Sequence, residues 1–293
     1  MSSTSTMKSC FNWPEREAAG CRPWWERAGR IAFAGLAGGS SHGPGRKGAG
    51  LIKRLKGVLG PTPGLPAARG NGQAVVCLTH DLDWAECWRG LEAVVEMELA
   101  AGVRSTINVL VRGPYTISRQ LLADLQEEGF EIGLHGLWHD PALGMRSPQR
   151  IRDFLSRAVD ELGMAVKGFR APAFSYSPRL LLELARAGFT YDSSLAAWWK
   201  GVGWSPWRVR GLGIVELPVW GSDDRLLRER PITPEAAAGL LAGVARAGRA
   251  SRPAVVNIHP GVALGFKGFF SNFLARVVAS GARVVPAEVA LGL

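Results

Sequence analysis

The chain has 293 residues, of which 47% are hydrophobic and 20% are charged, so it can bury a sizeable core. That balance excludes a mostly disordered chain, and no run of about 18 apolar residues predicts a transmembrane helix. The formal net charge of +10 is concentrated in residues 1–73, where eleven Lys and Arg against three Glu give +8. Because the remainder is nearly neutral, we do not expect the protein to bind nucleic acid through its body.

Residues 1–73 are predicted to form a basic, largely disordered tail, and residues 74–293 a folded domain. The stretch 35–72 is rich in Gly, Pro, Ser, Arg and Lys without sustained periodicity, which is typical of a linker. Segment 51–59 has helical apolar spacing beside a basic face, and so fits a peripheral membrane contact or a short helix packed on the domain. A poor match to a secretion signal and four cysteines without the density of a disulfide scaffold predict a cytoplasmic location, with the tail at the inner membrane face.

From residue 74 onward, short apolar runs alternate with stretches whose apolar residues recur at helical spacing. In chain order, the pattern predicts strands at 74–79, 105–111, 131–134, 166–169, 214–219, 254–258 and 283–285, and intervening helices at 84–99, 117–128, 147–163, 177–188, 233–248 and 267–279. Three helices open on an N-cap residue followed by proline: Ser147-Pro148, Ser177-Pro178 and Thr233-Pro234.

Repeated strand-then-helix units of this kind indicate a parallel sheet. With six or seven units and no obvious second domain, a closed or distorted βα barrel is favoured over an open doubly wound sheet. In such a barrel the reactive groups lie just past the carboxyl ends of the strands.

Four of the five histidines fall at or just past predicted strand ends: His80, His135, His139 and His259. Asp81 and Asp83 follow the first strand, where an unpaired buried carboxylate would be too costly and needs a cation, a metal or water. A set of two imidazoles and one carboxylate leaves positions open for water and substrate, which is the pattern of catalytic zinc. Taken alone, the pair of histidines spaced by four also fits a surface or core pair.

Two further features stand near the predicted strand ends. Arg170 ends another strand, where its guanidinium can hold a carboxylate ionised or form a surface ion pair. Residues 198–220 hold five of the eleven tryptophans, with Arg208 and Arg210 among them: Trp198, Trp199, Trp204, Trp207 and Trp220. Such a segment suits sugar rings or a lipid-phosphate headgroup, or else forms an apolar lid or a subunit contact.

Five motifs in this order resemble those of the NodB-homology polysaccharide deacetylases, carbohydrate esterases that remove N-acetyl groups from sugars. They are THDLD at 79–83, the histidine pair His135 and His139, the Arg-x-Pro run at 170–172, GFTYDSS at 188–194, and NIHP at 257–260. The resemblance covers residues 74–293 and implies an α/β fold, the distorted (β/α)7 barrel of that family.

The resemblance also implies roles for individual residues. Asp83, His135 and His139 would hold a divalent metal, expected to be zinc, with cobalt or nickel as alternatives. Asp81 would be the base held by Arg170, and His259 the acid, with Asp192 expected beside it by chain order. Substrate contacts are assigned to Trp138, Pro172, Phe174 and Trp220. His80, as the strand neighbour of Asp81, is expected to point the other way and pack in the core.

The predicted reaction is the removal of an N-acyl group, acetyl or formyl, from an amino sugar in a glycan or a lipid-linked sugar. The basic tail and the tryptophan-rich segment favour the lipid-linked sugar. One alternative is a metal-free hydrolase of a small cyclic amide such as a ureide. The other is a non-catalytic protein that binds an anionic surface or nucleic acid through its tail.

Overall fold

The structure is a computed structural model, and it describes residues 73–209, 211–229, 232–266 and 268–292. The predicted tail lies outside the described residues except for Gln73, whose side-chain amide donates to the Gly281 carbonyl oxygen at 2.7 Å. Arg210 is also outside them. The boundary between tail and domain therefore stays a prediction.

Strands and helices alternate along most of the described chain. The strands are β1 (Val75–Asp81), β2 (Thr106–Leu110), β3 (Glu131–Gly136), β4 (Gly168–Phe169), β5 (Tyr191–Asp192), β6 (Trp207–Arg208), β7 (Val215–Glu216), β8 (Val219–Ser222), β9 (Ala254–Asn257) and β10 (Arg283–Val285). The α-helices are α1 (Ala85–Ala100), α2 (Arg119–Glu127), α3 (Pro148–Leu162), α4 (Pro178–Arg186), α5 (Asp223–Glu229), α6 (Pro234–Arg246), α7 (Pro260–Gly265), α8 (Phe269–Ala279) and α9 (Ala287–Leu291).

All the described strands belong to one sheet in the order β6-β7-β5-β4-β3-β2-β1-β9-β8, with β10 paired to β1. Every pair of neighbours is parallel except β6 and β7. A parallel bridge from Ala196, just after β5, to Val219 in β8 connects the two sides of the curved sheet. This arrangement confirms the predicted distorted βα barrel.

Residues on β1 alternate between the inside of the barrel and its helical layer, as a strand requires. Cys77 packs inside with Val215 and Val255, whereas Val76 and Leu78 pack outside against residues of α6 and α8. The same alternation sends Asp81 towards the inside at the carboxyl end of the strand and His80 towards the helices.

The predicted Ser-Pro and Thr-Pro helix starts are confirmed. The hydroxyls of Ser147, Ser177 and Thr233 each accept a hydrogen bond from the backbone N–H three residues later. The first of these helices, α3, ends at Gly163, whose φ of 68° is the left-handed conformation that favours glycine. Among the described residues, no helix is both long and apolar enough to cross a membrane.

The main departure from the predicted elements lies between residues 188 and 229. The single strand expected at 214–219 is two short strands, β7 and β8, separated by Pro218, which has no N–H for the sheet. β5 and α5 were not predicted. A two-residue strand such as β5 is too short to show periodicity, so it is defined only by its partners in the sheet.

Candidate metal centre and active site

The predicted metal ligands meet at the rim of the barrel. Asp83 lies two residues past β1, His135 lies near the end of β3, and His139 lies in the loop that follows β3. The Nε2 atom of His135 is 2.8 Å from Asp83 Oδ1, and that of His139 is 3.6 Å from Asp83 Oδ2. One ligand atom from each residue lies within 4.8 Å of the others, so the three side chains can hold one ion.

The hydrogen bonds around these ligands fit a divalent metal. The Nδ1 atom of His135 lies 2.7 Å from the Arg170 carbonyl oxygen, to which only a protonated Nδ1 can donate, so the lone pair of the ring is at Nε2. That Nε2 atom and Asp83 Oδ1 are buried without a hydrogen bond to any described residue, although they face one another. Two buried acceptors that share no proton are suitably placed for a cation, and imidazole nitrogen with carboxylate oxygen suits zinc.

The carboxylates and imidazoles at this point shift one another's pKa values. Burial alone would raise the pKa of Asp83, but His135, His139 and His259 hold it well below its usual range. Burial alone would lower the pKa of His135, but Asp81 and Asp83 raise it. The potential that favours a proton on His135 also attracts a metal cation.

Asp81 lies beside the ligands with both carboxylate oxygens hydrogen-bonded. Oδ1 accepts from the Asn108 side-chain amide at 2.7 Å and from Arg170 Nη1 at 3.1 Å. Oδ2 accepts from the Asn257 side-chain amide at 2.9 Å. Each carboxylate oxygen offers about two lone pairs, so Oδ2 keeps one that can take a proton.

Arg170 is almost fully buried. Its Nη1 atom lies 3.1 Å from Asp81 Oδ1, which confirms the predicted contact. Its Nη1 also donates to Thr79 Oγ1 at 2.7 Å and to Asn257 Oδ1 at 2.9 Å, while Nε and Nη2 donate to Ser193. Burial would raise the pKa of Asp81, but Arg170, followed by His135, keeps it below its usual range. Asp81 is therefore an ionised carboxylate fixed by three side chains, which is what a general base requires.

Asn108 reaches Asp81 because its neighbour on β3 is a glycine. A Cβ atom at Gly133 would lie 2.3 Å from Asn108 Oδ1, which is closer than any real contact of that kind. We did not predict functional roles for Asn108 or Asn257. Asn257 is the last residue of the apolar strand β9, and that placement was a usable indication, whereas Asn108 lies in the middle of β2.

His259 lies at the same rim, as predicted, with Nε2 3.4 Å from Asp83 Oδ2. Its carboxylate partner is Asp223: Asp223 Oδ1 accepts from His259 Nδ1 and Oδ2 from the His259 backbone N–H, both at 2.7 Å. The ring also stacks on Trp84, with centroids 5.1 Å apart. Burial would lower the pKa of His259, but Asp223 and then Asp83 raise it well above its usual value, which keeps the ring protonated.

The prediction that Asp192 stands beside His259 is wrong. Asp192 is buried at the end of β5, where its Oδ1 accepts from Ser194 Oγ at 2.6 Å. Asp223 could have been found from the sequence, because Ser222-Asp223-Asp224 follows an apolar run just as Asp81 and Asp83 do. Because the predicted strand ended at residue 219, Asp223 was not seen to follow a strand as Asp81 and Asp83 do.

His80 packs away from the metal ligands, as predicted. Its Nδ1 lies 2.6 Å from the Ile258 carbonyl oxygen and its Nε2 lies 2.8 Å from Glu98 Oε1. Glu98 belongs to α1 and also accepts from Ser105 Oγ at 2.7 Å. His80 therefore joins β1 to α1 and to the chain segment that carries His259.

The predicted substrate contacts have different surroundings. Trp138 is 43% exposed and packs edge-on against Phe154. Pro172 is buried, and Phe174 packs edge-on against Trp198 and Trp199. Phe174 and its neighbour Ala173 both have positive φ values, of 55° and 51°, so this turn after Arg170 is strained.

Trp220 is a poor substrate contact, contrary to our prediction. It is only 5% exposed and packs with Ala197, Val244 and Ala254, on the side of β8 that faces α6. Its ring N–H donates to the Trp204 carbonyl oxygen at 2.8 Å. The register shift between Val219 and Gly221 changes which face each side chain of β8 takes.

A cleft of about 330 Å³ is lined by Trp138 and Asp140, the chain neighbours of His139. None of the predicted metal ligands lines it. Its other lining side chains include three arginines, Arg146, Arg150 and Arg157. Arg146 is paired with Asp140 at 2.9 Å, whereas Arg150 has no ion pair with a described residue.

Comparisons with known proteins agree with this geometry. Residues 69–191 match the sequence model of the polysaccharide deacetylase family. A protein assigned as a polysaccharide deacetylase from Mycobacterium smegmatis has 20% identity and a TM-score of 0.63, covering 78% of this chain and 93% of its own. A search of curated proteins found no match.

Two further solved structures share the fold. The chitin deacetylase of the fungal pathogen Colletotrichum lindemuthianum has 17% identity and a TM-score of 0.52, covering 76% of this chain and 89% of its own. A family 4 acetyl xylan esterase from Clostridium thermocellum, in complex with a cobalt ion, has 15% identity and a TM-score of 0.53, covering 74% and 90%. The family match over residues 69–191 and the shared barrel confirm the resemblance found in the sequence: residues 69–191 are similar to the polysaccharide deacetylases, and the described chain has the fold of these solved structures.

Proposed function

We propose that the protein is a metal-dependent hydrolase that removes an acetyl or formyl group from the nitrogen of an amino sugar. The observation that carries the proposal is the meeting of an ionised carboxylate, Asp81, and an imidazole paired with a carboxylate, His259, at one set of metal ligands. A base and an acid beside the same ion are what hydrolysis of an amide requires.

Each protein group has a definite task in this reaction. A divalent ion held by Asp83, His135 and His139 would polarise the amide carbonyl and stabilise its developing negative charge. Asp81 takes a proton from the attacking water, whose oxygen forms a bond to the acyl carbon. His259 gives its proton to the nitrogen as the carbon–nitrogen bond breaks, so a free amine and a carboxylate leave.

The cleft lined by Trp138 supports a sugar substrate that carries a negative charge. The exposed face of Trp138 suits a sugar ring, and Arg150 and Arg157 suit a carboxylate or phosphate. A lipid-linked sugar has such a phosphate, so this cleft favours it over a neutral glycan. The names of the structural relatives, a chitin deacetylase and an acetyl xylan esterase, support a carbohydrate substrate in either case.

Zinc is the proposed metal, with cobalt or nickel as alternatives. The ligand set of two imidazoles and one carboxylate supports zinc, and the cobalt ion bound to the related acetyl xylan esterase supports a transition metal of similar size. We also propose a cytoplasmic location, with the basic residues 1–73 at the inner membrane face. Membrane fractionation of the full chain and of a chain lacking those residues tests this location.

The activity is tested with purified full-length protein. Metal content is measured first, and amine release is then followed on acetylated chito-oligomers and on a lipid-linked N-acetylated amino sugar. We expect about one ion per chain, and release that stops on chelation and returns when zinc is added. A chelated protein that hydrolyses a ureide at an undiminished rate would contradict the proposal and favour the metal-free alternative.

A further inference from the structure

A second pair of carboxylates lies next to the active site without contacting the metal ligands. Asp192 on β5 and Glu216 on β7 are partners in the parallel register, and both are fully buried. Tyr191 and Val215, their chain neighbours, pack inside the barrel. Alternation along the strands therefore places both carboxylates on the outer face of the sheet, side by side.

Each carboxylate uses one oxygen and leaves the other without a donor. Asp192 Oδ1 accepts from Ser194 Oγ at 2.6 Å, and Glu216 Oε1 accepts from the Leu195 backbone N–H at 3.2 Å. Asp192 Oδ2 and Glu216 Oε2 are buried and accept no hydrogen bond from any described residue. The unpaired atoms therefore belong to adjacent side chains.

The ionisable groups that face this pair are Arg170 and Tyr176. The guanidinium of Arg170 donates to Thr79, Asp81, Asn257 and Ser193 instead, and burial keeps Tyr176 as a neutral phenol by raising its pKa. Two adjacent carboxylates that lack a bound cation cannot both be ionised inside a protein.

We propose that Asp192 and Glu216 share one proton, and that this pair positions Arg170 for its contact with the base. The connection runs through Ser194, whose Oγ donates to Asp192 and accepts from the Ala171 backbone N–H at 2.8 Å. Ala171 directly follows Arg170, so the pair anchors the backbone from which the guanidinium reaches Asp81. Asp192 and Glu216 are thus positioning residues.

The pKa values of the two groups agree with this geometry. Burial raises the pKa of Asp192 to about 6. Burial and then the neighbouring Asp192 raise the pKa of Glu216 well above its usual range, so Glu216 keeps the proton at neutral pH. An unfolded chain releases that proton near pH 4. The proton on Glu216 therefore stabilises the folded state fully below about pH 4. This stabilisation is lost as the pH rises towards the pKa values that the pair has in the folded protein.

The test compares thermal unfolding of the holoenzyme and its Glu216→Gln variant between pH 5.5 and 8.5. The amide keeps an N–H donor for Asp192 but does not titrate, so the fall in Tm with pH should be smaller than in the wild type by about 3 °C or more. Asp192→Asn provides a second variant. Glu183→Gln is the control, because Glu183 is equally buried but is paired with Arg152 and Arg186. It should not flatten the pH dependence.

The positioning step rests on the proposed function and has its own measurement. In Glu216→Gln, kcat at alkaline pH should fall less than in the wild type, with unchanged metal content. An identical pH profile would overturn the positioning role. Identical pH dependence of Tm, or a second bound metal in the wild type that Glu216→Gln loses, would overturn the shared proton. If neither protein releases amine but the Tm result holds, the proposed function fails and the shared proton stands.

Discussion

Two pairs of buried carboxylates at the ends of strands in the same sheet have opposite charge behaviour. Asp81 and Asp83 lie among imidazoles, amides and a guanidinium, and their pKa values are lowered. Asp192 and Glu216 are also buried, no cationic side chain of the described residues is hydrogen-bonded to them, and their pKa values are raised. Burial is therefore common to both pairs, and the hydrogen-bonded partners decide whether the carboxylates are charged.

Arg170 makes the difference especially clear, because it lies near both pairs. Its charge acts on Asp81, Asp192 and Glu216, but of these three carboxylates only Asp81 accepts a hydrogen bond from it. A distant guanidinium does not offset the desolvation of Asp192 and Glu216. Whether a carboxylate is ionised thus depends here more on a direct hydrogen bond than on the proximity of a cation. The following variants alter the residues of the charged pair and its partners.

The largest effect is expected from His135→Ala, which removes one of the imidazoles that lie beside Asp81 and Asp83. Two remaining ligands hold zinc poorly, so the purified variant should contain little metal and have no measurable amine release. Metal analysis of the dialysed protein measures this. His80→Gln, which removes a buried imidazole from the other face of β1, should retain the ion. A His135→Ala protein with full metal content would exclude His135 as a ligand.

Asp81→Asn should reduce kcat by about 100-fold or more while the metal stays bound, because a positioned base contributes about that much. The amide cannot take a proton from water, and its N–H group would face the donors Asn108 and Arg170. Steady-state amine release and metal analysis measure the two quantities on one sample. Wild-type kcat in this variant would show that the charge of Asp81 is not used in the reaction.

Asp223→Asn removes the carboxylate that pairs with His259, and kcat should fall by about tenfold or more, again without metal loss. The imidazole loses the negative partner that keeps it protonated and oriented. Asp224→Asn serves as the control, because its Oδ1 accepts from Ser222 and from the Arg225 backbone N–H and not from His259. Equal rates for both variants would contradict the role of Asp223.

The smallest effect is expected from Arg150→Ala in the cleft beside Trp138. An exposed charged contact contributes little, so KM for a phosphate-bearing substrate should rise by about two- to fivefold at unchanged kcat. Arg152→Ala, on the same helix but paired with Glu183, should leave KM unchanged. If KM for a neutral chito-oligomer rises equally in Arg150→Ala, the cleft does not recognise the negative charge.

Most of the candidate site could be predicted because the positions of its residues follow from local patterns. Short apolar runs mark the strands, and Asp83, His135 and His259 lie at or just past the ends of those runs. Asp223 was missed because Pro218 divides one predicted strand into two, so the true carboxyl end of β8 lies three residues later than expected. Trp220 was misplaced for a related reason, since a register shift in the same strand alters its face.

The pairing of Asp192 with Glu216 lies beyond what a local pattern contains. The two residues are 24 positions apart, and their strands are each two residues long. Only the register of β5 and β7 in the folded sheet brings them together. From the sequence we expected Asp192 beside His259 and assigned no role to Glu216, whereas the protonation of the pair arises from tertiary structure.

Arg170 is hydrogen-bonded through both its backbone and its side chain, and this links His135, a predicted metal ligand, to Asp81, the proposed base. Its carbonyl oxygen accepts from His135, while its guanidinium donates to Asp81. One residue therefore connects the imidazole of His135 to the carboxylate of Asp81. A metal ion of larger radius would push His135 outward, move the Arg170 backbone and draw the guanidinium away from Asp81. Exchange of the ion should consequently change the basicity of Asp81, although Asp81 is not a ligand.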